Sequence, residues 1–259
     1  VRAVSQACSN VVTTWMCSIV DHYGSTYGDK GWGCGYRNMQ MLMSSLLQHT
    51  GYNELLFKAW SVGGCKSTDN PLRSSMPSIS RLQKMIEWAW EQGFDVQGAE
   101  QLGGQLVNTR KWIGATEVMT LLSSLRFKCQ LVDFYKPTSY DGSHPEMFQW
   151  VLNYFQKTDE FKPPLYLQHQ GHSRTIMGVE TLRDGSITML VLDPSHTLSQ
   201  MGQFNSTSSA PGAMRLIRKS TPAMKARQYQ IVAVVGIIEN DAKYEQSKVL
   251  GNLRIPQDR

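Results

Sequence analysis

The densest chemical signal in the sequence is Gly31-Trp32-Gly33-Cys34-Gly35-Tyr36-Arg37-Asn38, three glycines around one cysteine, directly ahead of a run with helical spacing. Glycines permit a sharp backbone turn and the close approach of a ligand chain. A cysteine at a helix N-terminus sits at the positive end of the helix dipole, which lowers its thiol pKa. The thiolate is the nucleophile, so this placement favours attack on a carbonyl. The first N–H groups of the helix have no intrahelical acceptor and can point at an oxyanion. The plainer alternative is a buried thiol at a tight helix start, and the segment taken alone leaves both open.

A thiol nucleophile needs a base, and the chain has six histidines. His49 falls at the end of a helical pattern, where a cation suits the dipole. His144 precedes Pro145 in a segment read as a solvated loop. His22, in a loop shortly before the cysteine, is at most a neighbour of the site. His169 and His172 lie in Gln168-His169-Gln170-Gly171-His172-Ser173-Arg174, a polar cluster between two apolar, strand-like runs, so it must be solvated or used. Asp193 ends the next run, Leu190-Val191-Leu192-Asp193-Pro194. An antiparallel hairpin turning at Arg183-Asp184-Gly185 sets the start of its first strand beside the end of its second. His172 and Asp193 become near neighbours there once a small bulge or register offset is allowed. An aspartate so placed accepts the imidazole's second N–H and fixes its tautomer; alone it reads as a turn residue before proline.

The chain order of cysteine, histidine, then acid is the papain-like order, which needs the nucleophile on a helix and the base with its orienter on a sheet. Gln168 is a candidate to complete an oxyanion hole through its side-chain N–H. Trp32 and Trp112 are either core aromatics or the walls of a narrow channel.

The elements that must position these groups follow from periodicity. Met39, Leu42, Met43, Leu46 and Leu47 make a helix of Cys34 to Gln48. A second runs from Ile79, capped by Ser78 and ended by Gly93. A third covers Glu117 to Leu125, and a fourth Pro145 to Gln156, opened by a proline at a permitted position. Strands are expected at Cys129 to Phe134, Leu165 to His169, Thr175 to Glu180, Ile187 to Asp193 and Gln228 to Ile237. Gly63 to Pro77 and Ser195 to Pro211 read as loops. Helices first and a strand meander after them predict an α+β fold, N-terminal helices packed on a C-terminal, mainly antiparallel sheet.

Composition is that of a globular chain: 259 residues, 41% hydrophobic and 18% charged, with a net charge of +5 that argues for neither nucleic acid nor an acidic surface. The five cysteines, Cys8, Cys17, Cys34, Cys65 and Cys129, contain no C-x-x-C pair. That argues against a zinc finger within the chain and against a disulfide scaffold, and for free thiols in a reducing compartment. No stretch approaches a membrane span and no signal pattern opens the chain. Residues 1–259 read as a single domain, and with Val1 in place of a methionine the chain is expected to be a fragment of a longer protein.

GWGCGYRN, together with KWIGATE at Lys111 to Glu117, LYLQHQGHSRT at Leu165 to Thr175, LDP at Leu192 to Pro194 and QYQIVAV at Gln228 to Val234, resembles the ubiquitin-fold-modifier protease family. The likeness runs from about Asp21 to Val234 and is closest to the deubiquitinating branch, in which zinc fingers accompany a UFM-specific peptidase domain. The resemblance implies a papain-like cysteine protease fold with Cys34 as nucleophile, His172 as base, Asp193 as orienting aspartate and Gln168 at the oxyanion hole. It implies that Asp95 and Glu117 pair with arginines of the ubiquitin tail and that Trp112 walls the channel for its Gly-Gly, where Trp32 is a further candidate. It also implies ubiquitin and polyubiquitin chains as partners, a preference for the lysine-sixty-three linkage, no metal or organic cofactor, no membrane, and a place in cytoplasm and nucleus. The zinc fingers and extra ubiquitin-binding helices of the branch do not show here, so such modules are expected outside this chain. The alternatives are a protease for the ubiquitin-fold modifier, an inert ubiquitin-binding domain, and nucleic-acid binding through Arg215, Arg218, Lys219, Lys225 and Arg227. That last cluster reads as a solvated face, and nucleic acid is not required.

Overall fold

The computed structural model describes residues 1–61, 76–157, 161–206 and 208–257. Helix α1 (Arg2–Gln6) leads into strand β1 (Val11–Met16), and five helices follow: α2 (Cys34–Leu46), α3 (Thr50–Ser61), α4 (Ile79–Glu91), α5 (Val96–Gln101) and α6 (Ala115–Ser124). Then come β2 (Phe127–Phe134), α7 (Pro145–Gln156), β3 (Leu165–His169), β4 (His172–Leu182) and β5 (Ile187–Leu192). The chain ends with α8 (Leu198–Gly202), α9 (Ala210–Ile217), β6 (Arg218–Ser220), β7 (Tyr229–Ile237), α10 (Asp241–Gln246) and β8 (Asn252–Ile255).

All eight strands join one sheet in the order β6-β5-β4-β3-β7-β2-β8, with β1 paired to β4. β4 is long enough to pair β3 through its first half and β1 through its second. The pairings are antiparallel except that of β2 with β8. Alternation sorts the sheet's two faces. Tyr166, Val232 and Val234 turn toward α2, α4 and α6, whereas Leu165, Leu167, Ile231 and Ala233 turn toward α7 and α9.

Among the residues of α2, nearly all are buried, from Gly35 through Leu46. A helix apolar on most of its circumference belongs in the interior, and α2 accordingly packs on β3 and β4. That packing sets the helix start against the strands that carry the imidazole.

The expected helices of α2, α4, α6 and α7 and the expected strands appear within a few residues of their predicted bounds. Ser78 caps α4 by accepting from the Arg81 N–H, and Gly93 ends it at φ +88°. Two expectations need correction. The first half is not purely helical: the β-branched run Val11-Val12-Thr13-Thr14 forms β1. Ser195 to Pro211 is not all loop, because Thr197 and Gln200 close a capping box that starts α8. The Gly63 to Pro77 loop lies outside the described residues up to 75. No described helix is long and apolar enough to cross a membrane.

Candidate active site

Asp29 organises the turn that delivers Cys34. Its carboxylate accepts the Thr26 backbone N–H at 2.9 Å, the Thr26 hydroxyl, and a two-pronged guanidinium contact from Arg37 at 3.0 and 2.7 Å. Burial alone would push the Asp29 carboxyl up, but the donors of Arg37 and Thr26 outweigh it and hold it below its ordinary value. Two of the glycines are required by close approach. A Cβ on Gly33 would stand 2.6 Å from the Asp29 Cβ, and one on Gly35 2.6 Å from both Ile113 Cγ1 and the Ile113 carbonyl. The glycines thus let the 112–114 segment lie directly against the start of α2.

His172 opens β4 opposite that helix start. A buried amide fixes the two elements in register: Asn38 Nδ2 donates to the Cys34 carbonyl at 2.8 Å and to Ser173 Oγ at 3.2 Å, and Asn38 Oδ1 accepts from Thr175 Oγ1 at 2.8 Å. The Cys34 thiol hydrogen-bonds the His172 imidazole and lies against Ser173. The other face of the imidazole is taken by Asp193, whose two oxygens lie 3.0 and 2.9 Å from His172 Nε2. Nδ1 is therefore the ring nitrogen that meets the thiol. The β4–β5 ladder contains the offset that brings His172 and Asp193 together, a register shift between Ile176 and Gly178.

Asp193 is held by more than the imidazole. Oδ1 also accepts the Ser195 N–H at 2.9 Å, and Oδ2 accepts Arg174 Nε at 2.8 Å. Arg174 is anchored in turn, its Nη1 3.0 Å from His169 Nε2, while His169 Nδ1 lies 3.0 Å from the Gln170 carbonyl. This fixes His169 as the neutral tautomer with its proton on Nδ1; burial and the Arg174 charge push its pKa down. His22 Nε2 lies 2.8 Å from the Asp193 carbonyl and braces the strand end from the far side.

The charges follow from these contacts. Burial pushes Asp193 up, yet the His172 and Ser195 donors overwhelm it and hold the carboxyl far below the aspartate range. Asp193 first, then the Cys34 contact, raise His172 to about 9 against the opposing effect of burial. Burial pushes the Cys34 thiol up, but the His172 and Ser173 hydrogen bonds outweigh it and lower the thiol below its ordinary value. A lowered thiol beside a raised imidazole favours transfer of the thiol proton to the ring. Cys17 and Cys129 differ: burial pushes each to about 12.

Gln168 pairs with Ser173 across β3 and β4, its Nε2 donating to the His169 carbonyl at 2.7 Å and its Oε1 accepting from Tyr166 Oη at 2.9 Å. One of its two amide protons stays available. Trp112, 49% exposed, covers Gly171, where a Cβ would come 3.7 Å from the indole and the backbone adopts φ +79°. A Cβ on Gly114 would stand 4.0 Å from Gln168 Cδ. Trp112 thus packs on Gly171, and Gly114 on Gln168. Glu117, 6% exposed, accepts the Gly114 N–H through Oε2 at 2.7 Å in a helix-capping contact. Burial, then the Asp95 charge, push Glu117 up. Asp95 caps α5 by accepting the Gly98 N–H at 3.2 Å. Both carboxylates thus support helix starts. Trp32 stands edge-on to Tyr36 with its N–H on the Gly28 carbonyl.

The sequence reading misplaced three other groups. His144 is fully buried, with Nε2 2.8 Å from the Ala226 carbonyl, not solvated. His49 packs between Tyr52 and Phe161 rather than serving only a helix end. The basic cluster is not a solvated face throughout, since Arg218 pairs with buried Glu180 at 2.7 Å and Lys225 with Asp141 at 3.2 Å. Asn38 and Arg174 were missed as members of the site; both lie inside the two motifs, but no spacing rule marks an amide or a guanidinium as a positioning group, whereas His22 stands at the site as the neighbour the sequence allowed. Among the described residues no cluster of His, Cys, Asp and Glu is placed to hold a metal ion.

A thiol at the start of a buried helix, facing an imidazole and a carboxylate on an antiparallel sheet, is the plan of the papain-like cysteine peptidases. The fold is shared with the crystal structure of UfSP from C. elegans, at a TM-score of 0.56 and 19% identity over 89% of this chain and 36% of that one. The chain belongs to peptidase family C78, which it matches over residues 9–232. It is 43% identical to human zinc finger-containing ubiquitin peptidase 1 over 98% of this chain and 43% of that protein, so it spans less than half of that relative's length. It is 36% identical to the ubiquitin carboxyl-terminal hydrolase mug105 of Schizosaccharomyces pombe over 71% of this chain and 69% of that protein.

Proposed function

We propose that this peptidase is a deubiquitinase that hydrolyses the isopeptide bond after the C-terminal Gly-Gly of ubiquitin, with lysine-sixty-three-linked chains as preferred substrates. The observation that carries the reading is the Cys34–His172–Asp193 arrangement in a chain that belongs to peptidase family C78. In this reading the two glycines of the tail lie beside Trp112 and Gly171, and the arginines behind them meet Glu117 and Asp95. The names of the relatives above support the same substrate.

In this mechanism the Cys34 thiolate attacks the carbonyl carbon of the terminal glycine. The N–H groups at the start of α2 and the free amide proton of Gln168 hold the oxyanion. His172, protonated on Nδ1, gives that proton to the departing lysine amine, and a thioester remains on Cys34. Neutral His172 then takes a proton from water. The resulting hydroxide attacks the thioester, the thiolate leaves, and His172 keeps the proton for the next cycle. Asp193 holds the imidazole in this tautomer throughout. The free thiols suit a reducing compartment such as cytoplasm or nucleus.

The UfSP fold match leaves a protease for the ubiquitin-fold modifier as the second reading. Thiol-reactive probes built on each modifier's tail separate the two. Labelling of Cys34 by the ubiquitin probe, lost in Cys34→Ala while ubiquitin still binds, is expected; labelling only by the other probe reverses the assignment. A panel of ubiquitin chains tests linkage, and equal rates on all linkages would remove that preference.

A further inference from the structure

Residues 102–114 join α5 to α6 with no helix or strand of their own. The segment turns through φ of +63°, +64° and +60° at Gly103, Gly104 and Asn108. Two of its side chains, Leu106 and Ile113, are buried in the core, and the rest are exposed or half-buried. A connection built this way takes its shape from hydrogen bonds to its backbone. Its far end is nevertheless held in a demanding place. Ile113 lies against Gly35 in the first turn of α2, where a Cβ would come within 2.6 Å of it, and Trp112 packs on Gly171, next in the chain to His172.

The segment is held from α4. Glu87 Oε1 accepts two consecutive N–H groups, that of Leu106 at 2.5 Å and that of Val107 at 2.7 Å. Gln83 stands one turn earlier on the same face of α4. Its Nε2 donates to the Thr109 carbonyl at 3.1 Å and to Tyr36 Oη at 3.5 Å. Tyr36 Oη in turn donates to the Lys111 carbonyl at 3.4 Å, which ties the segment to α2 two positions beyond Cys34. Lys111 Nζ closes the segment on itself by donating to the Leu102 carbonyl at 2.6 Å. The Glu87 contacts are shorter than those of Gln83, as expected of bonds to a carboxylate, and they grip the segment where Leu106 enters the core.

We infer that Glu87 is a positioning residue for substrate binding: it latches residues 106 and 107 so that Trp112, Ile113 and Gly114 are already in place when substrate arrives. The inference rests on the deubiquitinase reading above, in which the tail glycines lie beside Trp112. Cys34, His172 and Asp193 take their hydrogen bonds from other residues, so loss of Glu87 leaves the reacting groups as they are. What is lost is preorganisation. Substrate must then order the segment itself, which weakens binding and leaves the chemical step alone.

Glu87→Ala, Glu87→Asp and Glu87→Gln are compared with the parent protein. The aspartate keeps the charge but falls one methylene short of the two N–H groups, whereas the glutamine keeps an acceptor oxygen at the same reach. On a ubiquitin isopeptide substrate KM is expected to rise about fivefold or more in the alanine and aspartate variants, with kcat within about twofold, and to return close to the parent value in Glu87→Gln. Alkylation of Cys34 by iodoacetamide, a reagent too small to need the segment, should proceed at the parent rate in every variant and so reports an intact site. Amide exchange over residues 108–114 should accelerate in the alanine and aspartate variants alone. An unchanged KM on a substrate the parent cleaves overturns the latch, as does a fall in kcat and alkylation in place of a rise in KM. If the parent leaves the ubiquitin substrate uncut while the exchange pattern holds, the deubiquitinase reading falls and the latch stands.

Discussion

Asp193→Asn removes one charge while nearly preserving shape, and the contacts of Asp193 specify what must follow. An asparagine keeps one acceptor oxygen for His172 and the Ser195 N–H, but its amide then faces Arg174 Nε donor to donor. His172 loses the first cause of its displacement from 6.5 to about 9. At 1.36 kcal/mol per factor of ten in proton affinity, that displacement is about 3 kcal/mol. His172 keeps some exposure to water, which screens the interaction, so about 2 kcal/mol is the expected loss. The basic limb of the kcat/KM profile, set by loss of the imidazolium proton, should therefore move from about 9 to about 7.5, and kcat/KM should fall about fourfold at pH 8 and about 30-fold at pH 10. The assay is the pH dependence of kcat/KM on a ubiquitin isopeptide substrate, with Cys34 alkylation rates as a second readout of thiolate. A basic limb that stays in place, or a loss under threefold, would refute the claim that Asp193 sets the charge of His172.

For the parent protein the same contacts predict a bell. Activity should rise as the lowered Cys34 thiol ionises and fall as His172 deprotonates at about 9, and a profile still climbing above that pH contradicts the ion pair. Arg174→Gln should act with the opposite sign to Asp193→Asn. The Arg174 charge opposes protonation of His172, so its loss moves the basic limb up while kcat drops because Asp193 loses a positioning donor; a downward move is the contrary result. Arg218→Met should destabilise by about 3–5 kcal/mol, because it leaves the Glu180 carboxylate buried without its partner. Denaturant unfolding measures this, and a loss under about 1 kcal/mol would show that Ser5 suffices for Glu180.

The helix behind Cys34 and the hairpin that carries His172 and Asp193 were legible because periodicity and turn residues mark them directly. The register offset between Ile176 and Gly178 was anticipated only as a need, although Gly178, an isolated glycine inside a strand, marks such a bulge. β1 escaped notice because a six-residue strand in an otherwise helical half gives a weak signal, and its partner lies about 165 residues away. His144 looked like a loop residue before proline; only the fold reveals that Tyr229 and the Ala226 carbonyl enclose it. Burial of a polar group depends on distant chain, so local pattern cannot report it. The same holds for Glu117, whose capping role is written in its position three residues after Gly114, while its enclosure is not.

Nucleophile and base arrive on separate elements, and the carboxamide of Asn38 bridges them by touching Cys34, Ser173 and Thr175 at once. Like a dowel between two boards, it transmits alignment without entering the chemistry. Loops elsewhere can lengthen or vary without spoiling the alignment of sulfur and ring, whereas shortening this one side chain would let helix and strand slide.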